Sequence, residues 1–190
     1  TETIFLAVFG YFFLKEKINL ITFISIIFGM SGVLLILGSS LSVQSNEQFI
    51  GNIVAFLAPI SFAIFVIIIR KSPNVDMVPA QFIAGVFSAI FAYFIASNLS
   101  ISPHDLFLAS LSGFFQIGFG FILITIGSQT TPSAVVGVLM LTEAVFGPLW
   151  ASLFINETPP TSVLIGGGII ICSILLQSFY SKKKLLNLKK

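Results

Sequence analysis

The chain has 190 residues, of which 56% are hydrophobic and only 8% charged, with a formal net charge of +2. A soluble domain carries about a quarter charged residues, so this composition excludes a water-facing globular surface and leaves the bilayer as the solvent. A lone cysteine, Cys172, inside an apolar run excludes a disulfide framework and a cysteine-based metal site.

Seven apolar segments follow one another. The first, Thr3 to Leu14, is too short to span and reads as the second half of a helix. Ile18 to Gly38, Ile50 to Ile69, Val78 to Ser97 and Leu106 to Gly127 come next, then Ala134 to Ile155 and Ser162 to Tyr180. Each of these six approaches the roughly 20 residues that cross about 30 Å of hydrocarbon at 1.5 Å per residue. The runs are apolar on every side, unlike the alternating strands of a membrane barrel, so the expected class is all-α. The short connections carry breakers, among them Arg70-Lys71-Ser72-Pro73-Asn74, Thr130-Thr131-Pro132-Ser133 and Asn156-Glu157-Thr158-Pro159-Pro160. Because the chain opens at Thr1 inside an apolar run, it reads as a truncation of a longer protein.

Numbering the connections alternately puts all nine basic residues on one side: Lys15, Lys17, Arg70, Lys71 and the lysines of the tail 181–190. The connections at 39–49, 98–105 and 156–160 hold none. Lysine and arginine mark the cytoplasmic side, which predicts a cytoplasmic C-terminus, an extracytoplasmic linker at 39–48 and a tail anchored to anionic lipid rather than nucleic acid.

A shift of 141 residues sets Thr1-Glu2 on Thr142-Glu143, Phe5 on Phe146, Phe13 on Phe154 and Glu16 on Glu157. Ile24, Leu34 and Leu35 likewise fall on Ile165, Leu175 and Leu176. Four of the chain's seven acidic residues take part, which gives the match its weight in so apolar a sequence. Five spans separate matched positions, and an odd number inverts topology, as in transporters built from inverted repeats. On this reading residues 1–38 end a first repeat, 49–180 form a complete five-helix second repeat, and 181–190 are a basic tail.

The run Leu141-Thr142-Glu143-Ala-Val-Phe-Gly-Pro148-Leu-Trp150, then Leu153-Phe154-Ile155-Asn156-Glu157 and Leu164-Ile-Gly-Gly-Gly168-Ile-Ile, resembles the EamA type of the drug/metabolite transporter superfamily. Phe12-Phe13-Leu14-Lys15-Glu16 is similar to the same family's helix-ending Leu-Gly-Glu signature. The resemblance implies ten helices in two inverted five-helix repeats, of which about six and a half stand here, in a bacterial cytoplasmic membrane. It further implies a secondary carrier working by alternating access on a metabolite, amino acid or drug-like solute. The family often has Pro directly after the buried Glu, where Ala144 and Thr3 stand here; Pro148 is expected to break the helix one turn later.

Glu143 is the sharpest candidate. It lies roughly 15 Å from one end of its span and 21 Å from the other, where an unpaired carboxylate costs several kcal/mol. A proton-titrating group, a ligand for a cationic part of the solute and a hydrogen-bonded structural carboxyl are the readings open to it. Glu2 inherits the argument as its repeat mate. Gln116, an amide inside a span, either meets solute or clamps helices. Thr142 is a further candidate, and Trp150, seven residues from Glu143 on one helical face, either lines a cavity or anchors at the interface. Glu16 and Glu157 read as structural helix-ending residues. No metal or cofactor site is read: the sole histidine, His104, lies in a predicted loop. No catalytic constellation or nucleotide-binding glycine loop occurs, which argues against an intramembrane enzyme or an ATP-driven pump. A seven-helix receptor remains the alternative; it predicts no internal repeat and a full first helix. The expected partners are a small-molecule substrate and the lipid bilayer, with a proton as a candidate coupling ion.

Overall fold

A computed structural model describes residues 2–38, 51, 54–96, 100–155 and 158–188. The 39–48 linker, Asn156, Glu157 and the last two lysines lie outside the described residues. Regular structure among the described residues is helical throughout. The elements are α1 (Glu2–Leu14), α2 (Leu20–Gly38), α3 (Leu57–Lys71), α4 (Val78–Ile95) and α5 (Pro103–Leu111). A π-helical stretch, Ser112–Phe119, leads into α6 (Gly120–Ser128), then α7 (Ser133–Met140), α8 (Thr142–Ile155) and α9 (Thr161–Leu188). Four stretches are long and apolar enough to cross a membrane: Val78–Ile95, Pro103–Ser128, Ser133–Phe154 and Thr161–Ser181.

Three expected boundaries need correction. The helix after the 98–105 connection starts earlier, at Pro103, because Ser102 caps it: its hydroxyl accepts from the Asp105 N–H at 3.1 Å. Pro at the first helical position gives up a donor that would have no intrahelical partner. His104 is therefore in a first helical turn rather than a loop. Helix α9 does not stop near Tyr180 but runs on to Leu188, since Ser181-Lys-Lys-Lys-Leu-Leu contains no glycine or proline to end it. The break in the span 133–155 falls at Leu141, whereas Pro148 sits inside α8.

The chain forms two compact units, one from the residues through Ile67 together with those from Pro132 on, the other from Ile68 to Thr131. In the first, α1 and α7 pack antiparallel: Thr3 lies against Gly137 and Gly10 against Ser133. Leu6, Ala63, Val66 and Val136 form one buried cluster, with Phe5, Phe9, Phe62, Phe65 and Met140 around it. A second cluster joins Ala7, Ile26, Ala134 and Val138.

Helices α2 and α9 make the most extensive contact. They also run antiparallel, from Asn19 beside Tyr180, through Ser25 beside Ser173, to Gly32 beside Gly166. A Cβ built on Gly32 would stand 2.6 Å from the Gly166 carbonyl oxygen, and one on Gly166 would stand 2.6 Å from the Gly32 carbonyl oxygen. Only glycine permits that approach, the way apolar helices associate where lipid tails are as apolar as their side chains. Ser173 Oγ donates to the Ser25 carbonyl at 2.6 Å. Under the 141-residue offset Ser25 corresponds to Gly166 and Gly32 to Ser173, so the two contacts exchange into one another. Element boundaries follow the same offset: α1 ends at Leu14 and α8 at Ile155, while α2 starts at Leu20 and α9 at Thr161.

The second unit is held differently. Arg70 Nη1 donates to the Gln129 carbonyl at 2.7 Å and Gln129 Nε2 to the Val75 carbonyl at 3.1 Å, tying the turn after α3 to the end of α6. Helix α4 has no buried residue and presents Phe82, Phe87, Phe91 and Phe94 outward.

Candidate functional site

The break at Leu141 organises the site. The Leu141 N–H bonds to the Val138 carbonyl at 3.3 Å and the Ala144 N–H to the Leu141 carbonyl at 3.1 Å, a tightened three-residue turn in place of the four-residue repeat. The Thr142 hydroxyl donates to the Leu139 carbonyl, satisfying a backbone acceptor at a depth where water is scarce. Thr142 thus serves the break itself. A half-helix starts there, with Glu143 in its first turn, where the helix dipole favours a carboxylate.

Glu2 lies at the α1–α7 crossing. Thr3 Oγ1 donates to the Gly137 carbonyl at 2.9 Å, and a Cβ on Gly137 would stand 2.9 Å from the Thr3 Cα. Glu2, next to Thr3, is half-buried and in the first turn of α1. Its carboxylate lies within electrostatic reach of Glu143, whose side chain is exposed. Down the same face of α8 runs an aromatic ladder. Phe146 stacks on Trp150 with centroids 6.4 Å apart, and Trp150 meets Phe154 at 5.7 Å. Trp150, 52% exposed, therefore continues the face that begins at Glu143.

Gln116 is not the buried amide the sequence leads one to expect. It is exposed on the π-helical stretch, and the Ser112 hydroxyl donates to its Oε1 at 2.9 Å from one turn away. The amide oxygen is thereby satisfied within its own helix.

Glu16 does more than end a helix. Its Oε2 accepts from both the Ser133 N–H at 2.8 Å and the Ser133 hydroxyl at 2.6 Å, capping the start of α7. Free N–H groups and the dipole at a helix start both favour a carboxylate. The turn that delivers it passes through Lys15 at φ 55°, the left-handed conformation that normally goes to glycine at a helix end. Gly10 makes room, since a Cβ there would fall 1.9 Å from Ser133 Oγ. Glu157, its counterpart, lies outside the described residues.

Sequence reasoning missed Thr3, Ser133 and Ser173, each of which crosses between helices. Single hydroxyls are too common in membrane helices to stand out; the available signal was their position beside or opposite glycines. Among the described residues no three His, Cys, Asp or Glu side chains cluster as a metal site would require.

Apolar helices of membrane-spanning length, glycine-tight crossings and a span broken beside a carboxylate define a multi-pass helical membrane protein of the transporter class. The sequence model of the EamA-like transporter family matches residues 49–179, and the chain belongs to that family. It is also 24% identical over 200 aligned positions to a protein of Clostridium kluyveri named an uncharacterized transporter, covering 100% of this chain and 64% of that relative. The chain thus spans less than two thirds of the relative's length. No solved structure matches it.

Proposed function

We propose that the complete protein is a secondary carrier, an exporter or permease that moves a small metabolite, amino acid or drug-like solute by alternating access. The observation that carries this reading is the electrostatic influence of Glu143 on Glu2, residues matched by the 141-residue offset, beside a broken span. Unwound midpoints between inverted repeats are where carriers of this build hold solute. Residues 1–38 and 49–180 belong to the two five-helix repeats; the 141-residue correspondence of helix boundaries and the exchanging contacts of α2 and α9 support that division. The distribution of lysine and arginine supports a bacterial cytoplasmic membrane orientation with the C-terminus inside.

Two carboxylates and an aromatic ladder favour a solute with a cationic or zwitterionic head, since ring faces attract cations. A proton that neutralises the pair in the empty carrier would couple transport to the proton gradient. Gln116, away from these groups in sequence and bonded to Ser112, is a secondary candidate for solute contact.

The test uses the complete gene. Cells expressing wild type and Glu143→Gln at equal membrane abundance are profiled for metabolites gained or lost. A solute moved by the wild type should fall about tenfold or more in rate with the variant, the effect of losing a charge-assisted contact. Matching profiles that both differ from empty cells would make Glu143 structural, and no difference from empty cells over a broad panel would refute the carrier reading.

A further inference from the structure

Two polar atoms are buried without a partner where α2 crosses α9. Ser25 is 0% exposed and Gln177 1%, and neither Ser25 Oγ nor Gln177 Oε1 has a hydrogen-bond partner among the described residues. Other hydroxyls of the molecule turn back onto their own helix. Ser31 Oγ donates to the Phe28 carbonyl and Thr125 Oγ1 to the Phe121 carbonyl, each at 2.7 Å. Ser25 makes no such bond. Gln177 is half satisfied, its Nε2 donating to Ser181 Oγ at 3.3 Å. A buried polar group left unpaired lowers stability by its full desolvation penalty, so two together at one crossing call for a shared partner.

The two atoms belong to the same spot. Ser173 Oγ donates to the Ser25 carbonyl at 2.6 Å, and Gln177 stands one turn beyond Ser173 on the same face of α9. The 141-residue exchange within the crossing agrees. A Cβ on Gly32 would stand 2.8 Å from Ile170 Cγ1, and the exchanged residues also meet, a Cβ on Gly29 standing 3.1 Å from Ser173 Oγ. A Cβ on Gly166 would stand 2.8 Å from Ile36 Cγ1, and the residues that exchange with this pair are Ser25 and Gln177. The crossing thus sets Ser25 beside Gln177, yet no hydrogen bond joins their free oxygens. Turning the Gln177 amide over exchanges oxygen for nitrogen at the same distance, so a flip does not join them either.

We propose that Ser25 and Gln177 bind one water molecule inside the α2–α9 crossing, the water donating to Gln177 Oε1 and accepting from Ser25 Oγ. Thr22, buried and one turn before Ser25, sets a further hydroxyl on the same face of α2, within the range of about two to four polar partners that a buried water takes. A metal cation is the other ligand that hydroxyl and amide oxygens accept. Neither α2 nor α9 contains an acidic residue, so nothing on these helices would offset its charge in an apolar span. Water brings two donors and no charge. Its path is short, because Gln177 lies roughly 6 Å along the helix from Ser181, where the apolar span of α9 ends. At the other end of the crossing Ile36, Gly166 and Val163 replace Gln177, Ser25 and Thr22. One end of the crossing is therefore hydrated and the other dry.

Thermal midpoints of the intact protein in detergent test this with two variants that nearly conserve volume, Ser25→Ala and Gln177→Met. Each takes one partner from the water and leaves the other polar group behind, so each should lower the midpoint by about 2–4 °C. The double variant removes both groups and should lie no lower than either single one. Two unpaired groups without a water give the reverse: each variant removes a buried penalty, raises the midpoint, and the gains add. Additive gains or unchanged midpoints overturn the proposal. So does a wild-type midpoint raised by sodium chloride over choline chloride and insensitive to sodium in Gln177→Met, which reassigns the site to a cation. A structure of the wild type at a resolution that shows waters should place one within hydrogen-bond distance of both Ser25 Oγ and Gln177 Oε1. A direct bond between the two side chains in that structure refutes the bridge.

Discussion

Helices α9 and α4 are both apolar along their whole membrane-crossing length, yet they meet their surroundings in opposite ways. Against α2, α9 buries Ser173 and Gln177 and places Gly166 against the backbone of Gly32. Helix α4 buries nothing; its phenylalanines point outward, and Gly85 has open space where a Cβ would be. Hydrophobicity does not separate the two cases, because in lipid it gives no reason for one apolar helix to prefer another. Small residues and paired hydroxyls do, by allowing backbones to approach and bond.

That contrast is sharpest at the glycines. Gly166→Ala forces a methyl against a carbonyl oxygen that belongs to the backbone and cannot rotate away, and should cost about 3 kcal/mol, the upper part of the overpacking range. Gly85→Ala should change stability by less than about 0.5 kcal/mol. Thermal midpoints of the two variants in one detergent check this, and similar midpoints would mean the α2–α9 approach is looser than described.

A smaller effect is expected at the α7 cap. Glu16→Ala removes the acceptor of two bonds from Ser133 and should cost about 2 kcal/mol, as for hydrogen bonds to a charged group. A double-mutant cycle with Ser133→Ala should show coupling of about 1 kcal/mol. Additive losses would show that Glu16 stabilises the fold through other contacts.

The smallest effect has the opposite sign. Lys15 holds a left-handed conformation that costs a non-glycine residue about 1 kcal/mol. Lys15→Gly should raise the midpoint by about 2–4 °C for a chain of this size. An unchanged or lowered midpoint would mean that the lysine side chain offsets the backbone cost.

Much of the fold was legible in the sequence because a bilayer imposes a length on each helix and punishes charge between helix ends. Five of the seven expected segments reappear as helical stretches within a few residues of their predicted limits, and the 141-residue correspondence recurs in the helix boundaries. Glu2 and Glu143 stand out as candidates for the same reason, since acids are scarce here. Gln116 was nameable but not its environment: whether an amide is paired depends on a neighbour one turn away, and Ser112 answers that need locally.

The sequence by itself determined the membrane class and the order of the helices. Those follow from composition and periodicity, which act one segment at a time. Tertiary structure alone decided that the span 133–155 breaks at Leu141 rather than Pro148, that Glu16 caps α7, and that Gly32 meets Gly166. Each of these depends on a residue more than a hundred positions away or on a backbone bond exchanged at a crossing. Among apolar helices the choice of partner rests on van der Waals fit and single hydrogen bonds, which no pattern along one helix encodes.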